Sequence, residues 1–151
     1  MFVLLSQLAR IRRESSLERG RPRSLAIRHV DAGSCNGCEH ELEAASNPFH
    51  DLQRYGLDIV ASPRHADILL VTGALTTRMV VPLRTAYLAM PEPRLVAALG
   101  DCALGCGVLG DPAELAGPLE SVLPVGIRIP GCPPAPQTIA EHILAALEAR
   151  A

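Results

Sequence analysis

The sequence predicts an α/β fold: a parallel sheet of about four or five strands, flavodoxin-like, with helices on both faces. Three observations predict it. Short runs rich in Leu, Val, Ile and Ala alternate with segments of helical periodicity along most of the 151 residues. Some of these runs, such as Ile68 to Thr72, are apolar almost throughout, as suits strands covered on both faces. Gly, Pro and Asn then punctuate the chain where helices must start or stop.

In order, Met1, Leu4, Leu5, Leu8 and Ile11 recur at helical spacing, with Gln7, Arg10 and Arg13 on other faces, which predicts a short amphipathic helix. Glu14 to Arg23 reads as a polar linker. Charge divides the chain in the same place. Met1 to Arg28 carries seven Arg against Glu14 and Glu18, a net +5, whereas the remainder carries seven Arg against fourteen acids, a net −7. Residues 1–24 are therefore expected to form a basic arm, suited to an anionic membrane surface, a partner subunit or the arm's own domain. Residues 25–151 are expected to form one domain.

Leu25 to Val30 is the first predicted strand. The loop Gly33-Ser34-Cys35-Asn36-Gly37-Cys38 leads from it into a helix from about Glu39 to Ser46. Asn47-Pro48 reads as a cap followed by proline in the first helical position, with Gly56 as the stop after Asp51 to Tyr55. Leu57 to Ala61 and Ile68 to Thr72 are the second and third strands. A helix is expected from Thr77 to Met90, with Pro82 starting or kinking it. Leu95 to Leu99 is the fourth strand, followed by the loop Gly100 to Gly110 and a short helix capped by Asp111-Pro112. Val125 to Ile129 is the fifth, and Ile139, Ile143, Leu144 and Leu147 set the apolar face of a closing helix.

Composition excludes several function classes. Aromatic residues make up 3% of the chain and Trp is absent, so stacking platforms for single-stranded nucleic acid are lacking. Every cation is Arg, which excludes Schiff-base chemistry and a P-loop lysine. No run approaches the ~20 apolar residues of a membrane span, and the opening apolar run is broken too early for a secretory signal. Five cysteines in such a chain point to a reducing compartment and to ligand or redox duty rather than disulfides.

Four of those cysteines fall just beyond predicted strand ends: Cys35 and Cys38 after the first, Cys102 after the fourth, Cys132 after the fifth. In a parallel sheet those ends share one edge, where open α/β sheets bind their ligands. Four convergent thiolates suit an iron-sulfur cluster or a structural zinc, and thiols with no common site are the third reading. One C-x-x-C pair joined by two distant single cysteines fits a four-iron cubane better than the paired knuckles usual for zinc. Gly33, Gly37, Gly100 and Gly131 would let backbone approach such a group, and Pro133-Pro134 would stiffen the last loop. Cys106 reads as a small apolar residue, with replacement ligand and redox-sensing thiol as the alternatives.

Gly33-Ser34-Cys35-Asn36-Gly37-Cys38-Glu39, Ser62-Pro63-Arg64-His65-Ala66-Asp67 running into Leu69-Leu70-Val71-Thr72-Gly73, Gly100-Asp101-Cys102-Ala103, and Pro130-Gly131-Cys132-Pro133-Pro134 together carry a family resemblance. From about Leu25 to the C-terminus the chain resembles the small electron-transfer subunit of membrane-bound group 4 nickel-iron hydrogenases, including formate hydrogenlyase. The wider family includes the 20 kDa iron-sulfur subunit of respiratory complex I.

The resemblance implies that Cys35, Cys38, Cys102 and Cys132 ligate one [4Fe-4S] cluster relaying single electrons to or from a large subunit that bears the nickel-iron site. It thus implies an oxidoreductase subunit with no catalytic residue of its own. Further iron-sulfur and membrane subunits are implied as partners, and so is a peripheral place on the cytoplasmic side of the cell membrane. The separated first pair favours the hydrogenase branch, because complex I subunits present two adjacent cysteines there. A complex I-like subunit passing electrons to quinone is the alternative, and a zinc-stabilised interaction protein a second. Cys106 departs from the family pattern, where a small residue such as glycine is expected. The brief N-terminal region, lacking another cluster module, implies a single cluster.

Glu41 is expected near the subunit interface, because the family pattern places an acid there. Arg64 and His65 are candidates for orienting the cluster loops or tuning the potential. Gly105-x-Gly107-x-x-Gly110 matches the dinucleotide fingerprint in letters only, since a cysteine loop precedes it and no acid ends a strand about 20 positions on. No nucleotide is expected.

Overall fold

A computed structural model describes residues 24–108 and 113–148. The predicted N-terminal helix and linker, and the Asp111-Pro112 cap, lie outside the described residues. The sheet has five parallel strands in the spatial order β2-β1-β3-β4-β5: β1 Leu25–Asp31, β2 Leu57–Ile59, β3 Ile68–Thr72, β4 Leu95–Leu99 and β5 Ile127–Ile129. This is the flavodoxin-like order. Three α-helices cover it: α1 Gly37–Ala45, α2 Val80–Ala89 and α3 Pro136–Glu148.

The alternation within strands explains the layering. Every residue of β3 is buried, and along it Ile68 and Leu70 point to one face while Leu69 and Val71 point to the other. β4 repeats the division, with Ala97 and Leu99 on the first face and Val96 and Ala98 on the second. The first face packs on Leu42 and Ala45 of α1 and on Ile139 and Ile143 of α3. Leu83 of α2, Met90, Leu119 and Leu123 cover the second. Burying each such Leu or Ile contributes about 1.5–3 kcal/mol, and the two-sided cover of β3 concentrates that gain in the middle of the sheet.

Local boundaries differ from expectation where side chains compete with the helix. Asn47 Oδ1 accepts from the amides of Phe49 and His50, which makes a turn rather than a helix start. Asp51 is the residue that caps the next helical turn, Leu52–Tyr55. Thr77–Met79 forms a tighter turn before α2, so Pro82 sits in the first turn of α2, where its missing N–H costs nothing. β5 begins at Ile127 rather than Val125. Among the described residues, no helix is long and apolar enough to cross a membrane.

Candidate functional site

β1, β3, β4 and β5 end on one edge of the sheet, and the order of connection reverses between β1 and β3, where such folds form their ligand crevice. Cys35, Cys38, Cys102 and Cys132 line one cavity of about 120 Å³ there, with Ser34, Gly37, Gly73, Asp101, Gly131 and Pro133. A larger groove of about 290 Å³ lies elsewhere, between the 45–55 segment and α3, and contains no cysteine.

Each loop at the edge is held by identifiable bonds. Asp31, the last residue of β1, accepts the amides of Gly33 and Ser34 on one carboxylate oxygen, at 2.8 Å each, and so closes the turn into Cys35. Asn36 then adopts a left-handed conformation, φ 67°, and starts α1 so that Cys38 falls in its first turn. The positive end of the helix dipole therefore faces the thiols and favours negative charge on them. After β4, the Gly100 amide donates to Ile129 and the Asp101 amide to Gly131, carrying the pairing of β4 and β5 up to the two remaining cysteines.

The cavity fits a thiolate-bound group. Gly100 has φ 88°, and a Cβ on it would stand 2.6 Å from Cys38 Sγ, so a side chain there would occupy the space the sulfur needs. The same construction at Gly107 collides with Cys102 Sγ. Burial pushes the Cys38 thiol up to about 12, reinforced by Glu39 and by Cys102, Cys35 and Cys132. The other three thiols are thus near enough to oppose its ionisation, and positive charge among the four would reverse that balance. The five cysteines form no disulfide. No group of three or more His, Cys, Asp or Glu side chains among the described residues is arranged to hold a single metal ion.

Not every expected site residue comes to this edge. Arg64 and His65 lie in an exposed turn before β3, close to Asp67, whose carboxylate accepts from Ala26 at the start of β1. That is the amino edge of the sheet, and neither residue lines the cavity. Glu41 is half-buried on α1 and does not line it either. Cys106 is exposed, and its sulfur makes a long contact to the Leu104 carbonyl, 3.9 Å. Gly105 and Gly107 follow the Cys102 turn, and the next helical turn among the described residues is Leu119–Ser121.

A polar network beside the cage carried little sequence signal. The Thr72 hydroxyl, fully buried at the end of β3, donates to Glu39 Oε1, and His29 Nε2 lies 2.8 Å from the same hydroxyl. With that hydroxyl proton committed to Glu39, His29 must donate through Nε2. Burial lowers the His29 pKa from 6.5, partly offset by Glu39 and Asp31. Glu39 Oε2 is buried without a hydrogen-bond partner among the described residues. Glu39 and Glu41 are both half-buried and Glu43 is exposed, and Glu39 is the carboxylate of α1 that is tied to Thr72 and His29.

Comparison with known proteins places the chain in a family. The family model described as NADH ubiquinone oxidoreductase, 20 Kd subunit, matches residues 35–146, and the chain belongs to that family. It is 43% identical over 126 residues to the probable membrane-bound hydrogenase subunit mbhJ of Pyrococcus furiosus, covering 83% of this chain and 75% of that protein. To formate hydrogenlyase subunit 7 of Escherichia coli it is 42% identical over 123 residues, 82% of this chain but 48% of the longer protein. An NADH-quinone oxidoreductase subunit of a Nocardioides species is 41% identical over 108 residues, 71% of this chain and 58% of that one. Among solved structures, a chain of the archaeal membrane-bound sulfane sulfur reductase superimposes with a TM-score of 0.74 at 29% identity, covering 87% of this chain and 73% of its own. An NAD+-reducing [NiFe]-hydrogenase chain shares the fold, with a TM-score of 0.65 at 20% identity over 85% of this chain and 94% of that one.

Proposed function

We propose that this chain is the electron-transfer subunit of a membrane-associated oxidoreductase and holds one [4Fe-4S] cluster on Cys35, Cys38, Cys102 and Cys132. The observation that carries the reading is that three separate loops deliver four thiols to one cavity of about 120 Å³. When bound, such a cluster supplies one-electron redox chemistry at a potential set by its surroundings. The chain's own residues bind and tune: the cysteines ligate, the start of α1 favours their negative charge, and the glycines let backbone approach. Electrons would pass to or from a nickel-iron site on a large partner subunit.

The likeness to mbhJ and to formate hydrogenlyase subunit 7, together with the two-residue spacer between Cys35 and Cys38, supports the hydrogenase branch. A second reading, a complex I-like subunit passing electrons to quinone, is supported by the likeness to the NADH-quinone oxidoreductase subunit, and the spacer counts against it. In either case residues 25–151 form the cluster domain, and residues 1–24 form a basic arm toward lipid or another subunit. Further iron-sulfur and membrane subunits complete the assembly, on the cytoplasmic side of the cell membrane. Isolation of the native complex with metal analysis tests the choice. Nickel together with iron, and hydrogen evolution, are expected; an iron-rich complex without nickel that reduces quinone would overturn the hydrogenase branch.

A further inference from the structure

Cys35 and Cys38 share one loop, so their spacing is fixed locally. Cys102 and Cys132 stand on different loops, and something must set the distance between them. The parallel register of β4 and β5 ends at Leu99 opposite Ile129, short of both cysteines. Past that point the Gly100 amide donates to the Ile129 carbonyl at 2.8 Å and the Asp101 amide to the Gly131 carbonyl at 2.9 Å. The Gly131 amide donates in turn to Asp101 Oδ1, at 2.8 Å. Asp101 and Gly131 are therefore joined by two bonds in opposite senses, and each immediately precedes a cage cysteine.

The geometry points to Asp101 as the positioning residue that sets the Cys102 and Cys132 thiols at the spacing a cluster requires. This rests on the cluster reading above. Gly131 has φ 136°, and a Cβ there would stand 2.7 Å from Pro134 Cα, so the loop is folded tightly on itself. The Asp101 side chain supplies the acceptor that a further strand residue would have supplied. A carboxylate accepting from a backbone amide makes one of the stronger hydrogen bonds. Asp31 offers the contrast: its carboxylate serves amides two and three residues away and ties nothing across the sheet.

The role is one of acceptor position, and Asp101→Asn should preserve it while Asp101→Ala should not. The full chain is loaded anaerobically with iron and sulfide, and three quantities are read: iron loss to a chelator, the electron paramagnetic resonance of the reduced cluster, and hydrogen exchange at the Gly131 amide in the metal-free chain. Asp101→Ala is expected to lose iron roughly tenfold faster, to broaden the resonance, and to lose protection at Gly131 by a similar factor, as fits one lost hydrogen bond. Asp101→Asn is expected within about twofold of the wild type on each count, since its amide oxygen accepts from the same place.

An Asp101→Ala chain that matches the wild type in iron retention and Gly131 protection overturns the inference alone. So does an Asp101→Asn chain that folds yet sheds iron tenfold faster, an arm that decides the matter even where Asp101→Ala fails to fold. A wild-type chain that takes up no iron and sulfide overturns the cluster reading, and this inference with it.

Discussion

All five residues of β3 are buried, and Thr72 alone among them is polar. Just beyond the same strand ends, Cys35 and Cys132 are exposed, Cys38 and Cys102 are half-buried, and the loops between them are rich in glycine. The interior is held by apolar volume, spread over many contacts and tolerant of approximate fit. The carboxyl edge is held in addition by a few directed bonds, from Asp31 and Asp101 and through the continued β4–β5 pairing. The two regions should therefore fail separately. Interior changes cost stability without abolishing the capacity for the cluster, and edge changes cost the cluster without unfolding the sheet.

The largest effect expected is at the edge. Cys102→Ser or Cys132→Ser should abolish nearly all iron binding while the circular dichroism and thermal midpoint of the metal-free chain stay close to the wild type. Cys106→Ser should leave iron content unchanged, because Cys106 does not line the cavity. If the two serine variants unfold the metal-free chain, the separation between edge and interior fails.

Leu70→Ala attacks the other side of the comparison. Leu70 is fully buried between strand neighbours and the face covered by α1 and α3, so urea denaturation of the metal-free chain should show a loss of about 2–5 kcal/mol. At permissive temperature the folded fraction should still load iron.

Thr72→Val sits on the boundary. It keeps the volume but removes the hydroxyl that donates to Glu39, whose other oxygen already lacks a partner. Equilibrium unfolding should register about 1–3 kcal/mol.

The smallest effect concerns pH. The folded His29 pKa lies below 6.5, mainly through burial, so the unfolded chain takes up the proton first as pH falls. Its contribution to stability is complete above 6.5 and declines as pH drops below it. His29→Gln should flatten the stability profile of the metal-free chain on the acid side of 6.5, and an unchanged slope would show that His29 is not the group responsible.

The two regions also differed in how far the sequence revealed them. β3 and β4 were legible to the residue, because continuous apolar runs ending in glycine allow few other readings. The gathering of four cysteines followed from one topological rule, that parallel strands end on a common edge. Arg64 and His65 show what such reasoning leaves out. They precede β3 rather than follow it, and the same rule assigns them to the amino edge. Glu39 was one of three closely spaced acids on α1, and only the packing of Thr72 and His29 shows that it is the one tied into a network. Asp101 carried a usable signal, an acid wedged between Gly100 and Cys102, but its partner Gly131 lies 30 residues away and pairs with it only once β4 and β5 are side by side.

The proposed cluster on the four thiols at the carboxyl edge has a definite composition. Its most direct test is iron, acid-labile sulfide and zinc analysis of the full chain purified anaerobically, with electron paramagnetic resonance after reduction. A brown protein is expected, with about four iron and four sulfide per chain and the signal of a single reduced cubane. A colourless protein carrying about one zinc per chain and no sulfide would contradict it.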